Sequence, residues 1–393
     1  MSESQGSARP KTPPRERTTA IRQRLAELRG PTAVPRPLDA RALAALAANP
    51  GCRRRALLDG AGVDKGALAQ ALGSPSAAFG QSQFAIARGN TFEARVKSDG
   101  GAELLRLLCE HTGAEPPADA VLPELAAAGP EGRAARTALA LREASAAGTW
   151  TLLDHPMLAL EVAGSPAYLE PDAVVVAPDG RWTVVEIKSF PMIDAAADPA
   201  KVGAAARQAA VYVLALERVA GLLGAAPAGP AGRVAHSVLL VCPKDFSNLP
   251  TASLVDVRKQ LSVTRRQLAR LTRIEDIAAA LPPGACFDPG LPPTELAGAV
   301  ESVPAAYAPE CLAACELAFH CRDRARAQDA VTALGRGLRA ELGGLTTIGA
   351  VLSAARGATG DAADPAVAAL RRAAALRAEA LSAPRAPQEA GCP

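Results

Sequence analysis

Asp172 and Glu186 flank a Pro178-Asp179-Gly180 turn, and Lys188 follows two residues after Glu186. Ala167–Ala177 and Arg181–Phe190 read as strands. The turn between them fits a three-residue hairpin loop, with Pro opening a type I turn and Gly taking the left-handed position. With Ala177 facing Arg181, counting back along both strands sets Asp172 opposite Glu186, Cβ atoms about 5 Å apart on one sheet face. Period-two alternation adds Lys188 to that face. Like charges so placed destabilise a sheet, and a divalent cation between them removes the cost; hard Mg²⁺ prefers carboxylate and water oxygens. Such an ion polarises a phosphate and lowers the pKa of a bound water, while Lys188 orients that water or offsets developing charge. The chemistry this pattern predicts is phosphodiester hydrolysis. Solvated strand charges are the plainer alternative. Val174, Val175, Val176, Val184, Val185 and Ile187 argue against it, because apolar residues on both faces mark buried strands.

The elements that must position these groups follow. Asp198–Val219 has helical periodicity, with Asp198 as cap and Pro199 at the first position. Gln208 and Tyr212, four apart, share one face of it. They are either a core tyrosine beside a surface amide or a pair that contacts substrate or a metal-bound water.

Glu170-Pro171-Asp172, Glu186-Ile187-Lys188 and Gln208-x-x-x-Tyr212 resemble the three core motifs of the PD-(D/E)xK nuclease superfamily, in its RecB-type branch. That branch includes the CRISPR-adaptation exonucleases and AddB-type nucleases. The resemblance implies an α/β core, a mixed central sheet flanked by helices. It implies Asp172 and Glu186 as ligands of Mg²⁺ or Mn²⁺, the Ile187 carbonyl as a further ligand, Lys188 as the catalytic lysine, and Gln208 and Tyr212 as positioning residues. An earlier motif of the branch places His four residues after Gly. Here Gly89 is followed by Glu93, a carboxylate being the commoner ligand at the equivalent place elsewhere in the superfamily.

Cys311, Cys315 and Cys321 cluster more than a hundred residues beyond Lys188, and Cys52 lies far upstream. The N-terminus has no apolar signal core, so a reducing cytoplasmic setting is expected, where clustered cysteines bind metal rather than form disulfides. Zinc, with His320 completing the site, stays open. The layout is similar to the iron–sulfur branch of the same nucleases, with one cysteine before the first core helix and three after the core. Four such thiolates suit a [4Fe–4S] cluster, stapling the N-terminal helices to the C-terminal segment and coupling metal binding to folding. The family usually spaces its first two clustered cysteines by two intervening residues, where this chain has three. Cys109 and Cys242 read as buried apolar positions, and Cys286 and Cys392 lie in Pro/Gly-rich stretches.

The chain has 393 residues and a net charge of +3, which says little about partners. No apolar run spans a membrane. Residues 1–37, rich in Arg and Pro (Arg9, Lys11, Arg15, Arg17, Arg22, Arg24, Arg29, Arg36), are expected to be largely disordered, with a short helix near Thr19–Leu28, and to dock on phosphates. Residues 38–325 form the expected nuclease domain, and 326–393 Ala-rich helices with a Pro-rich end. A second basic strip (Arg258, Lys259, Arg265, Arg266, Arg270, Arg273) follows an expected strand Val234–Cys242 and reads as DNA contact or solvated face equally well. No P-loop is present, so a helicase, translocase or defence-system subunit would be a separate partner.

The expectation is therefore a metal-dependent deoxyribonuclease, an exonuclease on DNA ends or single strands, held together by an iron–sulfur cluster. The rivals are a restriction or defence endonuclease of the same chemistry and a non-catalytic DNA-binding scaffold.

Overall fold

The computed structural model describes residues 14–75, 83–224, 232–245, 247–329, 331 and 336–382. Arg9, Lys11 and Cys392 lie outside them. Helices α1 (Pro14–Arg29), α2 (Ala40–Ala48), α3 (Arg53–Ala61), α4 (Lys65–Ala71), α5 (Gln83–Val96), α6 (Ala102–Thr112) and α7 (Gly129–Ala147) precede strands β1 (Thr151–Asp154), β2 (Leu158–Val162), β3 (Ser165–Leu169), β4 (Ala173–Val176) and β5 (Trp182–Ile187). Helix α8 (Pro199–Leu222), strands β6 (Ser237–Pro243) and β7 (Pro250–Asp256), and helices α9 (Arg258–Leu268), α10 (Ile274–Ala279) and α11 (Pro293–Glu301) follow. A 3₁₀ turn (Pro309–Ala313) and helices α12 (Ala318–Ala327), α13 (Arg336–Leu342), α14 (Ile348–Ala355) and α15 (Pro365–Ser382) complete the chain.

The central sheet has the order β1-β4-β5-β6-β7. β5 and β6 are parallel and the other neighbours antiparallel, so the sheet is mixed. Alternation along β4 and β5 sends Val174, Val176, Trp182 and Val184 into one core with Ala210, Val213 and Leu216 of α8. Ala173, Val175, Val185 and Ile187 point the other way, against Phe92 and Val96 of α5 and Leu104 and Leu108 of α6. Burial on both faces is why these strands read as unbroken apolar runs. The fold is α/β, a mixed central sheet flanked by helices.

The expected strand Ala167–Ala177 is two strands in two sheets. β3 pairs with β2, whereas β4 pairs with β1 and β5. Pro171 offers no N–H to a ladder, and Glu170-Pro171-Asp172 forms the break. The hairpin itself closes as expected: Gly180 has φ +78°, Ala177 N donates to Arg181 O at 2.9 Å, and Val176 pairs with Trp182. The expected strand Val234–Cys242 is β6 preceded by an isolated bridge between Val234 and Trp182. In α8, Asp198 caps the N-terminus by accepting from Ala200 N and Lys201 N.

In the basic N-terminal segment the expected short helix near Thr19–Leu28 is longer. Its helix runs Pro14–Arg29, and Leu25 and Leu28 are buried in the same core as α8. An apolar pair three residues apart on a helix is enough to dock it. No helix among the described residues is long and apolar enough to cross a membrane.

Candidate active site and cysteine cavity

The hairpin register carries Asp172 to the edge of Glu186, but Asp172 stands in the turn before β4 rather than in the ladder. Its Oδ2 accepts from Ile187 N at 2.5 Å. Glu186 is 1% exposed. Among the described residues neither of its carboxylate oxygens receives an aligned hydrogen bond; its one charged contact is an ion pair with Lys188 Nζ. Burial pushes the Glu186 carboxyl up to about 7, with Lys188 opposing the rise and Asp172 adding to it. Burial likewise raises Asp172, against Lys188 and the Ile187 amide. Desolvation alone would lower Lys188, but Glu186 and Asp172 outweigh it and hold the ammonium above its usual value. A buried carboxylate beside a second one offers oxygen donors of the type a hard divalent cation takes, with Lys188 already paired to one of them.

Gln208 and Tyr212 come to this site from α8, and their first role is structural. Gln208 Nε2 donates to the Tyr212 hydroxyl (3.2 Å), which donates to the Glu170 carbonyl (3.2 Å). The chain of bonds ties the turn bearing Asp172 to the helix. Arg133 holds the same turn from the other side, forking onto Glu170 at 2.9 and 3.2 Å and reaching His155 O at 3.0 Å.

Glu93, on α5, faces a group that its own motif did not announce. Its Oε1 lies 2.6 Å from Lys97 Nζ and 3.0 Å from His155 Nε2. The His155 hydrogen bond first, and Lys97 next, hold the Glu93 carboxyl down at about 2 despite partial burial. Lys97 also reaches Asp154 Oδ1 at 2.6 Å and Asp172 O at 2.8 Å. His155 sits at φ +44°, a strained backbone for a non-glycine residue; its N–H donates to Asp172 O and its carbonyl accepts from Arg133. Lys97, Asp154, His155 and Arg133 escaped sequence reasoning, the one available signal being the i,i+4 spacing of Glu93 and Lys97 on a helix.

Asp172, Lys188, Gln208 and Tyr212 line a cleft of about 840 Å³ whose lining also includes Arg22 of α1, Arg36 and Arg41. Glu186 does not line it; its carboxylate lies in a void of about 10 Å³ under Ala205, Ala206 and Ala209. Acidic groups of the cleft are already engaged: Asp39 caps α2, Asp59 pairs with Arg55 and Lys65, and Glu170 with Arg133. None of the six basic residues from Arg258 to Arg273 lines the cleft; Arg258 pairs with Asp256 and Arg265 with Glu217.

The four cysteines meet at the other end of the helical layer. Cys52, Cys311, Cys315 and Cys321 line one cavity of about 20 Å³. Cys52 caps the start of α3, Cys311 sits in the 3₁₀ turn and Cys321 in α12. Asn49 Nδ2 donates to Cys311 Sγ at 3.4 Å and Arg54 Nη1 to Cys321 Sγ at 3.5 Å. Burial pushes the Cys315 thiol up to about 12 and Cys321 to about 11. His320 does not line the cavity; it turns to Glu301 at 3.1 Å. Cys109 and Cys242 are buried elsewhere, as expected. Among the described residues no three His, Cys, Asp or Glu side chains form a ready single-ion site, at either place.

Comparison with protein-family models, curated proteins and solved structures gives no match for this chain.

Proposed function

We propose that the protein is a metal-dependent deoxyribonuclease of the PD-(D/E)xK type, acting on DNA ends or single strands. The observation that carries this reading is the buried Glu186 carboxylate, without an aligned hydrogen-bond donor, set against Asp172 and Lys188 by the hairpin register. Burying two neighbouring carboxylates against one ammonium is costly, and a divalent cation shared by Asp172 and Glu186 would offset that cost. Asp172, Glu186 and the Ile187 carbonyl would hold Mg²⁺ or Mn²⁺. Bound there, the ion supplies a polarised phosphate and a water of lowered pKa. Lys188 reaches the same cleft and neutralises charge on the phosphate. Gln208 and Tyr212 keep Asp172 in place by anchoring its turn. Arg22 and Arg41, in the lining of the cleft, would offer phosphate contacts to an entering strand.

The cysteine cavity fits a resident metal–sulfur group. Four thiols from both ends of the chain line one cavity, and two sulfurs already accept N–H bonds of the kind that tune such clusters. A [4Fe–4S] group held there would supply a covalent tie between α3 and the Pro309–Ala327 segment. Zinc remains the alternative cargo, without His320.

The test is digestion of end-labelled single- and double-stranded DNA with Mg²⁺ or Mn²⁺, comparing wild type with Lys188→Ala. Metal-dependent cleavage abolished in the variant is expected. Resistance of covalently closed single-stranded circles marks an exonuclease, and their cutting an endonuclease. Absence of wild-type cleavage from cluster-replete protein, with DNA binding retained, would sink the enzyme reading in favour of a scaffold.

A further inference from the structure

Lys97 Nζ meets two carboxylates, a main-chain carbonyl and an imidazole. Glu93 Oε1 and Asp154 Oδ1 both lie at 2.6 Å, and Asp172 O accepts at 2.8 Å. These come from a helix, the end of β1 and the turn before β4, so three separate elements converge on one cationic atom. The side chain is 14% exposed, buried enough that charge contacts count for more than on an open surface. His155 Nε2 closes the group at 3.1 Å.

We propose that Lys97 is a built-in cation that replaces a second metal ion, so that this site takes one divalent ion and Glu93 serves Lys97 rather than that ion. The inference rests on the nuclease reading above and specifies its metal count. Glu93 and Asp154 are taken up by Lys97, with His155 also on Glu93, whereas Glu186 pairs with Lys188. A divalent ion at Asp172 and Glu186 would leave those contacts of Lys97 intact. A second ion at Glu93 and Asp154 would have to evict an ammonium already bonded to both and to the Asp172 main chain. A fixed ammonium also contributes something an ion does not: it clamps the carbonyl of the very residue whose carboxylate is to hold metal, so the ligand is aligned before metal arrives.

The experiment is a Mn²⁺ titration of the full chain with its cysteine site loaded and no DNA present, free Mn²⁺ being read by electron paramagnetic resonance. One Mn²⁺ per wild-type chain is expected, lost in Asp172→Asn. Lys97→Arg, which keeps the charge, should also bind one. Lys97→Met, with folding checked by circular dichroism, should bind two. Two ions in wild type or a single ion in folded Lys97→Met overturns the proposal. Wild type that binds two ions and cleaves DNA overturns the metal count alone, whereas wild type that binds none and cleaves nothing removes the nuclease reading with it.

Discussion

The Tyr212 hydroxyl donates to the carbonyl of Glu170, two residues before the carboxylate that the site depends on. That bond crosses from α8 to the break between β3 and β4, where Pro171 prevents a ladder from holding the backbone. A tyrosine conspicuous in the sequence for its spacing from Gln208 thus acts as a strut for Asp172.

Tyr212→Phe keeps the ring in its packed place and removes only the hydroxyl. It is expected to lower stability by about 1 kcal/mol, the usual net worth of a buried hydrogen bond, and to reduce metal-dependent cleavage by about tenfold with little change in DNA affinity. Urea denaturation and single-turnover cleavage read the two effects separately. Unchanged cleavage in a destabilised protein would confine Tyr212 to packing.

The cysteine cavity joins residues more than 250 positions apart in the chain. Purified anaerobically, the protein should contain iron and sulfide, both lost in Cys315→Ser. Removing the group should cost about 4–5 kcal/mol, the loop-closure value for a cross-link across a long loop. With the thiols of Cys315 and Cys321 pushed up by burial, the stripped and still folded protein should react slowly with iodoacetamide at neutral pH. A colourless, zinc-replete protein would replace the iron–sulfur assignment with zinc.

Arg22 and Arg41 are both exposed and line the same cleft as Lys188. If single-stranded DNA lies along this cleft, Arg22→Gln with Arg41→Gln should flatten the plot of log K against log salt by about 1.4, two contacts at about 0.7 each. Fluorescence anisotropy in Ca²⁺ measures this without cleavage. An unaltered slope would move the DNA path elsewhere.

Glu186 links the metal-free fold to pH. Its folded pKa, about 7, stands above the ordinary 4.5, so the folded state holds a proton that the unfolded chain has released. The contribution of Glu186 to stability in EDTA is then greatest below about pH 4.5, falls as pH rises towards 7, and levels off above it. The fall attributable to this group is on the order of 3 kcal/mol. Glu186→Gln should flatten that part of the profile, and added Mn²⁺ should recover stability at pH 7 and above. A profile identical in wild type and Glu186→Gln would show that Lys188 alone compensates the charge.

Much of the site was legible in the chain because it is written in local geometry. A three-residue loop with Gly180 in the left-handed conformation sets the strand register, and the register brings Ala173 opposite Val185, one residue short of Asp172 and Glu186. The same holds for α8, whose cap Asp198 and i,i+4 pair Gln208 and Tyr212 depend on helical spacing alone. What only the tertiary structure decided depends on approaches between distant segments, which no local period encodes. It split the Ala167–Ala177 strand between two sheets, folded Leu25 and Leu28 of the basic N-terminus into the core, and turned His320 away from the cysteines to Glu301. It also brought Lys97, Asp154 and His155 to Glu93, since an ammonium and two carboxylates find each other through packing of α5 against β1 and β4, not through any spacing in sequence.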